Sequence, residues 1–293
     1  MERLYVCNTG SDYISELNIN TLKEKRINLT SYNEKIGPYS LASYGDFIVV
    51  INKYSSSLVK IKKENYCYKE YHSIGAQPND IKIYKDTAYI LCGEGDSLIT
   101  FDLKGNKISQ CINCGLYPHR IDIEAGLGLG AITNMLSDDI LLLDCEKNTI
   151  IKKIPVNNYP TKAILINEGK ELLVCESFMG TDKPGRVKHI DVISGSIIGE
   201  IKVGNYPADI LYEDEENCYI TNFNDGSVSI ISLKEMREKE KLFFRGMPMG
   251  ILRRYNHLYI GDNHNNALIR YDLIHKKAKI IPLGKEPNGM IIL

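Results

Sequence analysis

Seven prolines set the frame of this chain. Pro38, Pro78, Pro118, Pro160, Pro207, Pro248 and Pro287 follow one another at intervals of 40, 40, 42, 47, 41 and 39 residues. Each opens a similar stretch: IGPYSLASY, AQPNDIKIY, LYPHRIDIE, NYPTKAILI, NYPADILYE, GMPMGILRR and KEPNGMIIL. A period near forty residues signals a repeat architecture, in which a unit too small to bury its own apolar face stacks on copies of itself. The order inside each unit is constant. The proline and a short apolar strand come first, then a turn, a strand like Tyr219-Ile220-Thr221-Asn222, a polar turn, an alternating strand and an outer strand. Asp102, Asp144, Asp191 and Asp272 stand near the end of the third strand.

Val, Ile, Tyr and Thr dominate these runs, and Gly, Asn, Asp and Ser separate them, which is strand and hairpin chemistry. Asn224-Asp225-Gly226 reads as a tight turn, because Asp-Gly tolerates positive φ. Helix is nearly absent; the best candidate, Lys234 to Lys241 (KEMREKEK), reads as a charged, solvated loop extension. Four strands per unit and seven units predict one all-β domain spanning 1–293, a seven-bladed β-propeller with four-stranded blades. The chain opens in mid-unit and ends on a lone first strand. The segment 288–293 is therefore expected to join 1–30 in one shared blade, so that no edge is left at the closure.

Composition narrows the partners. With 43% hydrophobic and 25% charged residues the chain can bury a substantial core. Its 36 Lys and Arg balance 37 Asp and Glu, so no long-range field attracts a nucleic acid or an anionic membrane. MERLYVCNTG has no signal-like run and no segment is long enough to span a bilayer, which predicts a cytoplasmic protein. The eight cysteines are expected to be reduced; Cys7, Cys92, Cys175 and Cys218 lie in apolar strands, where a thiol behaves as a small hydrophobe.

The segments YITNFNDGSVSIISL, LYVCNTGSDYISELNI and AITNMLSDDILLLD resemble the YVTN family of propeller repeats over essentially the whole chain. Cys92, Glu176 and Asp262 replace the motif Asn in three units. The absence of Trp argues against WD-type, Asp-box and Trp-docked quinone propellers. The resemblance implies a fold that hosts lactonase-like hydrolases and lyases as well as binding modules, so it leaves the activity open.

In such a ring two residue sets are expected to meet at one channel mouth. The two positions after each proline supply Asp80, His119, Arg120, Lys162 and Asp209, and the second-strand ends supply Asn8, Asn52, Asn134, Asn222, Cys92, Glu176 and Asp262. Arg120 and Lys162, from neighbouring units, suit a carboxylate or phosphate; the plain alternative is ion pairing with Asp80, Asp209 and Asp262. The motif Asn residues are expected to bind turn backbone. The insertion ESFMGTDKPGR, which lengthens one unit to 47, is expected to overhang the mouth beside Glu176.

Other signals are weak. Cys111-Ile112-Asn113-Cys114 has CxxC spacing but neither a helix N-terminus nor a second pair, so neither metal nor redox cofactor is predicted. Of His72, His119, His189, His257, His264 and His275, only His119 and His264 are expected near the mouth, where His264 with Asp262, or His119 with Glu176 across blades, could act as general base and orienter. No phosphate loop, GxSxG or HExxH is present. The expectation is a binding or scaffolding propeller for a small anion or a protein partner. The alternative is a lactonase-like hydrolase or lyase that uses Glu176, His119 or His264.

Overall fold

The structure, a computed structural model, describes residues 2–29, 35–71 and 74–293; His72 lies outside them. Seven four-stranded antiparallel sheets form, each with its strands in sequence order from the axis outward. The innermost strands are Pro38–Tyr44, Pro78–Tyr84, Pro118–Glu124, Pro160–Ile166, Pro207–Asp214, Pro248–Arg254 and Pro287–Ile292, and we number the blades 1 to 7 in that order. Each opens on its proline, as suits a first strand position that needs no ladder N–H. The only helical element among the described residues is a 3-10 turn at Thr9–Ser11. The KEMREKEK segment is not a helix or a loop extension: after a turn at 233–236, Arg237–Phe243 forms the outer strand of blade 5, pairing with Ser227–Ser232.

Blade 7 is shared between the chain ends. Pro287–Ile292 pairs antiparallel with Arg3–Asn8, which leads into Tyr13–Asn18 and Glu24–Asn28. Arg3 and Leu293 exchange backbone hydrogen bonds of 2.7 and 2.8 Å. Farther in, Asn288 Nδ2 donates to Thr9 Oγ1 (2.7 Å), whose hydroxyl donates to the Pro38 carbonyl of blade 1 (2.7 Å). The seam is thus tied by side chains as well as by the ladder.

The second strands lie between two other strands and have both faces covered by neighbouring blades, so they read as near-continuous apolar runs such as Leu172–Cys175 and Ile48–Ile51. The core is divided among the seven interfaces. Between blades 1 and 2, for example, Val49, Ile51 and Leu58 pack on Ile81, Ile90 and Phe101. The third-strand aspartates build the outer hairpins. Asp144 Oδ1 accepts from Glu146 N and Lys147 N, and Asp272 Oδ1 accepts from Ile274 N and His275 N. The Asn224-Asp225-Gly226 turn forms with Gly226 at φ +62.

Candidate functional site

The central channel holds a cavity of about 500 Å³ lined by the innermost strands of all seven blades. Its first layer is the second residue after each proline: Ser40, Asp80, Arg120, Lys162, Asp209, Gly250 and Gly289. The structure therefore brings together Asp80, Arg120, Lys162 and Asp209 as the repeat predicts.

The acids and the cations of this layer differ in what they already bind. An innermost strand has one unpaired ladder edge, and the carboxylates satisfy it for the next blade. Asp80 Oδ2 accepts from Ile121 N (3.1 Å) while its Oδ1 accepts from Ser40 Oγ (2.9 Å). Asp209 Oδ2 accepts from Ile251 N (3.2 Å), and one layer deeper Asp122 Oδ2 accepts from Leu165 N (3.0 Å). Burial alone would raise the Asp80 pKa, but Arg120, Lys162, Lys82 and the Ile121 N–H outweigh it and hold the carboxyl below its usual range.

The cations are less satisfied. Among the described residues the Arg120 guanidinium makes one hydrogen bond, to the Asn79 carbonyl (3.1 Å), and its Nη1 lies 3.7 Å from Asp80. The Lys162 ammonium makes none; its nearest acid is Asp209 at 3.8 Å. Their side chains are only 13% and 11% exposed. Burial disfavours the charge of Arg120, but Tyr39, Asp80 and Asp209 overcome this and raise its pKa.

On the proline side of the layer stand aromatic rings. The Arg120 guanidinium lies 5.6 Å from the ring centre of Tyr39, over which Lys53 Nζ also sits at 4.8 Å, a cation–π arrangement. Tyr117 stacks on His119 with centroids 6.4 Å apart, and Tyr206 tilts on Phe223 at 5.6 Å. Burial, followed by the proximity of Tyr39, raises the Tyr206 hydroxyl pKa. Tyr117, Tyr159 and Tyr206 each precede a blade proline at φ +54, +58 and +55. Gln77 and Glu286 share this conformation, so it belongs to the blade geometry, and only the tyrosine side chains are particular to blades 3 to 5. These tyrosines and Lys53 are absent from the sequence-based site; three consecutive Tyr-Pro pairs are the signal that points to them.

Several expected members lie elsewhere. The second-strand ends do not reach the channel, because they pair with the blade prolines inside the sheet (Pro38 with Asn52, Pro160 with Glu176) and are buried. Asn8, Asn52 and Asn222 donate chiefly to third-strand serine hydroxyls at 2.8–3.0 Å, and Asn134 donates to Asp139 (2.6 Å). The expected bond to backbone appears in Asn8 alone of these, as Nδ2 contacts to Val6 O and Tyr13 O. Glu176 instead forms a buried ion pair with Lys188 (2.6 Å) and accepts from Asn157 N (2.9 Å). Asp262 accepts from Met247 N and Asn265 N, which fixes a loop of blade 6.

His264 is exposed and lines no part of the cavity. His119 adjoins Arg120 in sequence, but its Nδ1 meets the Thr161 carbonyl of blade 4 at 2.7 Å. Burial, reinforced by Arg120, pushes its pKa down to about 4, so the ring is neutral near pH 7. The insertion packs beside blade 5, with Gly185 N donating to the Gly204 carbonyl, and none of its residues lines the cavity. Cys111 and Cys114 are free thiols on and just beyond the outer strand of blade 2, and burial pushes Cys114 up to about 12. All eight cysteines are unpaired. No helix among the described residues is long and apolar enough to cross a membrane.

No protein-family model matches the chain, and neither does any curated protein. Solved structures do. The chain is similar to hydrazine synthase of Kuenenia stuttgartiensis, with 17% identity, TM-score 0.79 and coverage of 89% of this chain and 90% of that one. A functionally unknown protein from Desulfotomaculum acetoxidans gives 15%, 0.78, 99% and 98% in the same order. A candidate 6-phosphogluconolactonase from Bacteroides fragilis gives 14%, 0.78, 100% and 98%. At these identities the likeness extends to the fold alone.

Proposed function

We propose that this chain is a YVTN-type binding propeller that holds the anionic group of a small molecule between Arg120 and Lys162. The supporting observation is the imbalance within the charged layer. Both acids accept hydrogen bonds from the backbone of the next blade, whereas the Lys162 ammonium has no hydrogen bond and Arg120 has one. A nearly buried cation without acceptors is costly, and an entering carboxylate or phosphate supplies them. A cavity of about 500 Å³ suits a small organic ligand. Eight free thiols favour a reducing compartment such as the cytoplasm. The hydrolase or lyase alternative draws no support from Glu176 or His264, since one is locked in an ion pair and the other stands outside the cavity.

Titration calorimetry of the purified protein with acetate and inorganic phosphate tests this reading. Arg120→Gln and Lys162→Met should each weaken binding about tenfold or more, the scale of a hydrogen bond to a charged group. Equal affinity in wild type and both variants, or no binding of either anion to the wild type, would overturn it.

A further inference from the structure

The charged layer is lopsided. Blades 2 to 5 contribute Asp80, Arg120, Lys162 and Asp209, whereas blades 6 and 7 contribute Gly250 and Gly289. Apolar side chains line the cavity around those glycines: Leu211, Met249, Leu252, Met290 and Ile291. The two glycines have different physical reasons. A Cβ on Gly289 would stand 2.7 Å from both Ser40 Cα and the Tyr39 carbonyl, so close approach of blade 1 backbone demands glycine there. Gly250 has no such constraint. Its φ lies outside the left-handed region, and its Cβ would meet the end of the Met290 side chain at 3.2 Å, the Asn288 carbonyl at 3.4 Å and Asp209 Oδ2 at 3.9 Å. Its conformation does not call for glycine, and the missing side chain leaves a space bordered by the flexible end of Met290 and by the Asp209 carboxylate.

Building on the anion-binding reading, we infer that the ligand is an amphiphilic monoanion, a carboxylate with a compact apolar body. Its charged end meets Arg120 and Lys162, and its body occupies the space beside Gly250 against Met249, Leu252, Met290 and Ile291. The two methionines suit such a role, since unbranched thioether side chains adapt to the shape of an apolar guest. Gly250 is then a specificity-determining residue, setting how large a body the cavity accepts.

The test is a ladder of straight-chain carboxylates, acetate through hexanoate, titrated into the intact protein. Affinity should rise about fourfold for each methylene that leaves water, roughly a hundredfold or more from acetate to hexanoate. Gly250→Ala should reduce the hexanoate-to-acetate affinity ratio, and Gly250→Leu should bring it near one. The wild-type ladder needs no variant and so stands even if Gly250→Leu folds poorly. If acetate and hexanoate bind wild type equally, or the ratio survives in Gly250→Ala and Gly250→Leu, the apolar-body inference is overturned while the anion site stands. If no member of the ladder binds and Arg120→Gln changes nothing, the anion site itself fails and the inference with it.

Discussion

Two rings of polar residues encircle the same end of this propeller, and they differ in how completely they are satisfied. One is the set of second-strand ends, Asn8, Asn52, Cys92, Asn134, Glu176, Asn222 and Asp262, all buried inside the blades. The other is the channel layer that contains Arg120 and Lys162. Both carry ionisable groups, and sequence position alone puts both near the mouth. The first ring spends its polar groups inside its own blade: Asn222 donates to Ser227 and Ser229, and Glu176 accepts from Lys188. The second keeps two cations with donors to spare. What marks a candidate ligand site here is unused hydrogen-bonding capacity in a low-dielectric place, more than charge or location.

The strongest way to break this comparison is at blade 4. Lys188 pairs in register with Val174, two residues before Glu176, as Ser229 pairs with Ile220, two before Asn222. The Glu176–Lys188 ion pair thus stands where blade 5 has Asn222 and Ser229. The side chains are 1% and 4% exposed, so Glu176→Gln strands a buried ammonium. It should cost about 3–5 kcal/mol in urea denaturation, the range for breaking a buried pair. Glu176→Asn combined with Lys188→Ser, which rebuilds the blade 5 pair, should recover most of that loss. Lys162→Met, by contrast, removes a charge that makes no hydrogen bond and lies 3.8 Å from its nearest acid, Asp209, and should change stability by less than about 1 kcal/mol. A costly Lys162→Met or a harmless Glu176→Gln would erase the distinction between the rings.

His119 sits between the two rings and gives a pH test. Burial first, and Arg120 second, lower its pKa from 6.5 to about 4 in the folded protein. The unfolded chain therefore takes up the proton more readily. Its contribution to stability is complete above about pH 6.5 and is lost as pH falls toward 4, roughly 3 kcal/mol across that window. His119→Asn keeps an amide donor for the Thr161 carbonyl but no titrating group. The wild-type minus variant stability should fall by that amount between pH 7 and pH 4. A flat difference would mean that the imidazole takes up its proton in the seam as readily as in the unfolded chain.

The fold was legible because the repeat reports geometry many times over: seven prolines and their four-strand spacing state the ring, and the split ends state its closure. The channel layer was legible for a related reason, since position two after each proline carries Asp80, Arg120, Lys162 and Asp209 to equivalent places. The second-strand ends were misplaced because spacing gives the end of a blade but not the distance from the axis. Asn52 is one strand farther out than Ser40, enough to keep it out of the channel. The hydrogen bonds that separate acids from cations could not be read at all. They depend on backbone N–H groups of the next blade, such as Ile121 and Ile251, which have no signature in side-chain sequence. Neither Tyr39 nor Tyr206 stands among the site residues read from the sequence, because their convergence on Arg120 joins blades 1, 3 and 5 across the ring.

A substitution within the second-strand ring sharpens the comparison from the other side. Asn222 Nδ2 donates to Ser227 Oγ at 3.0 Å and to Ser229 Oγ at 2.8 Å, while its Oδ1 has no partner. Asn222→Ala removes both bonds and leaves two fully buried hydroxyls each short of one donor. The amide oxygen loses nothing, so the cost should be modest, about 1–3 kcal/mol in urea denaturation. Acetate affinity should stay unchanged, because Asn222 lines no part of the cavity. The opposite pattern, full stability with weakened anion binding, would place the second-strand ring in the ligand site. Asn222 and Arg120 would then belong to one polar surface instead of two.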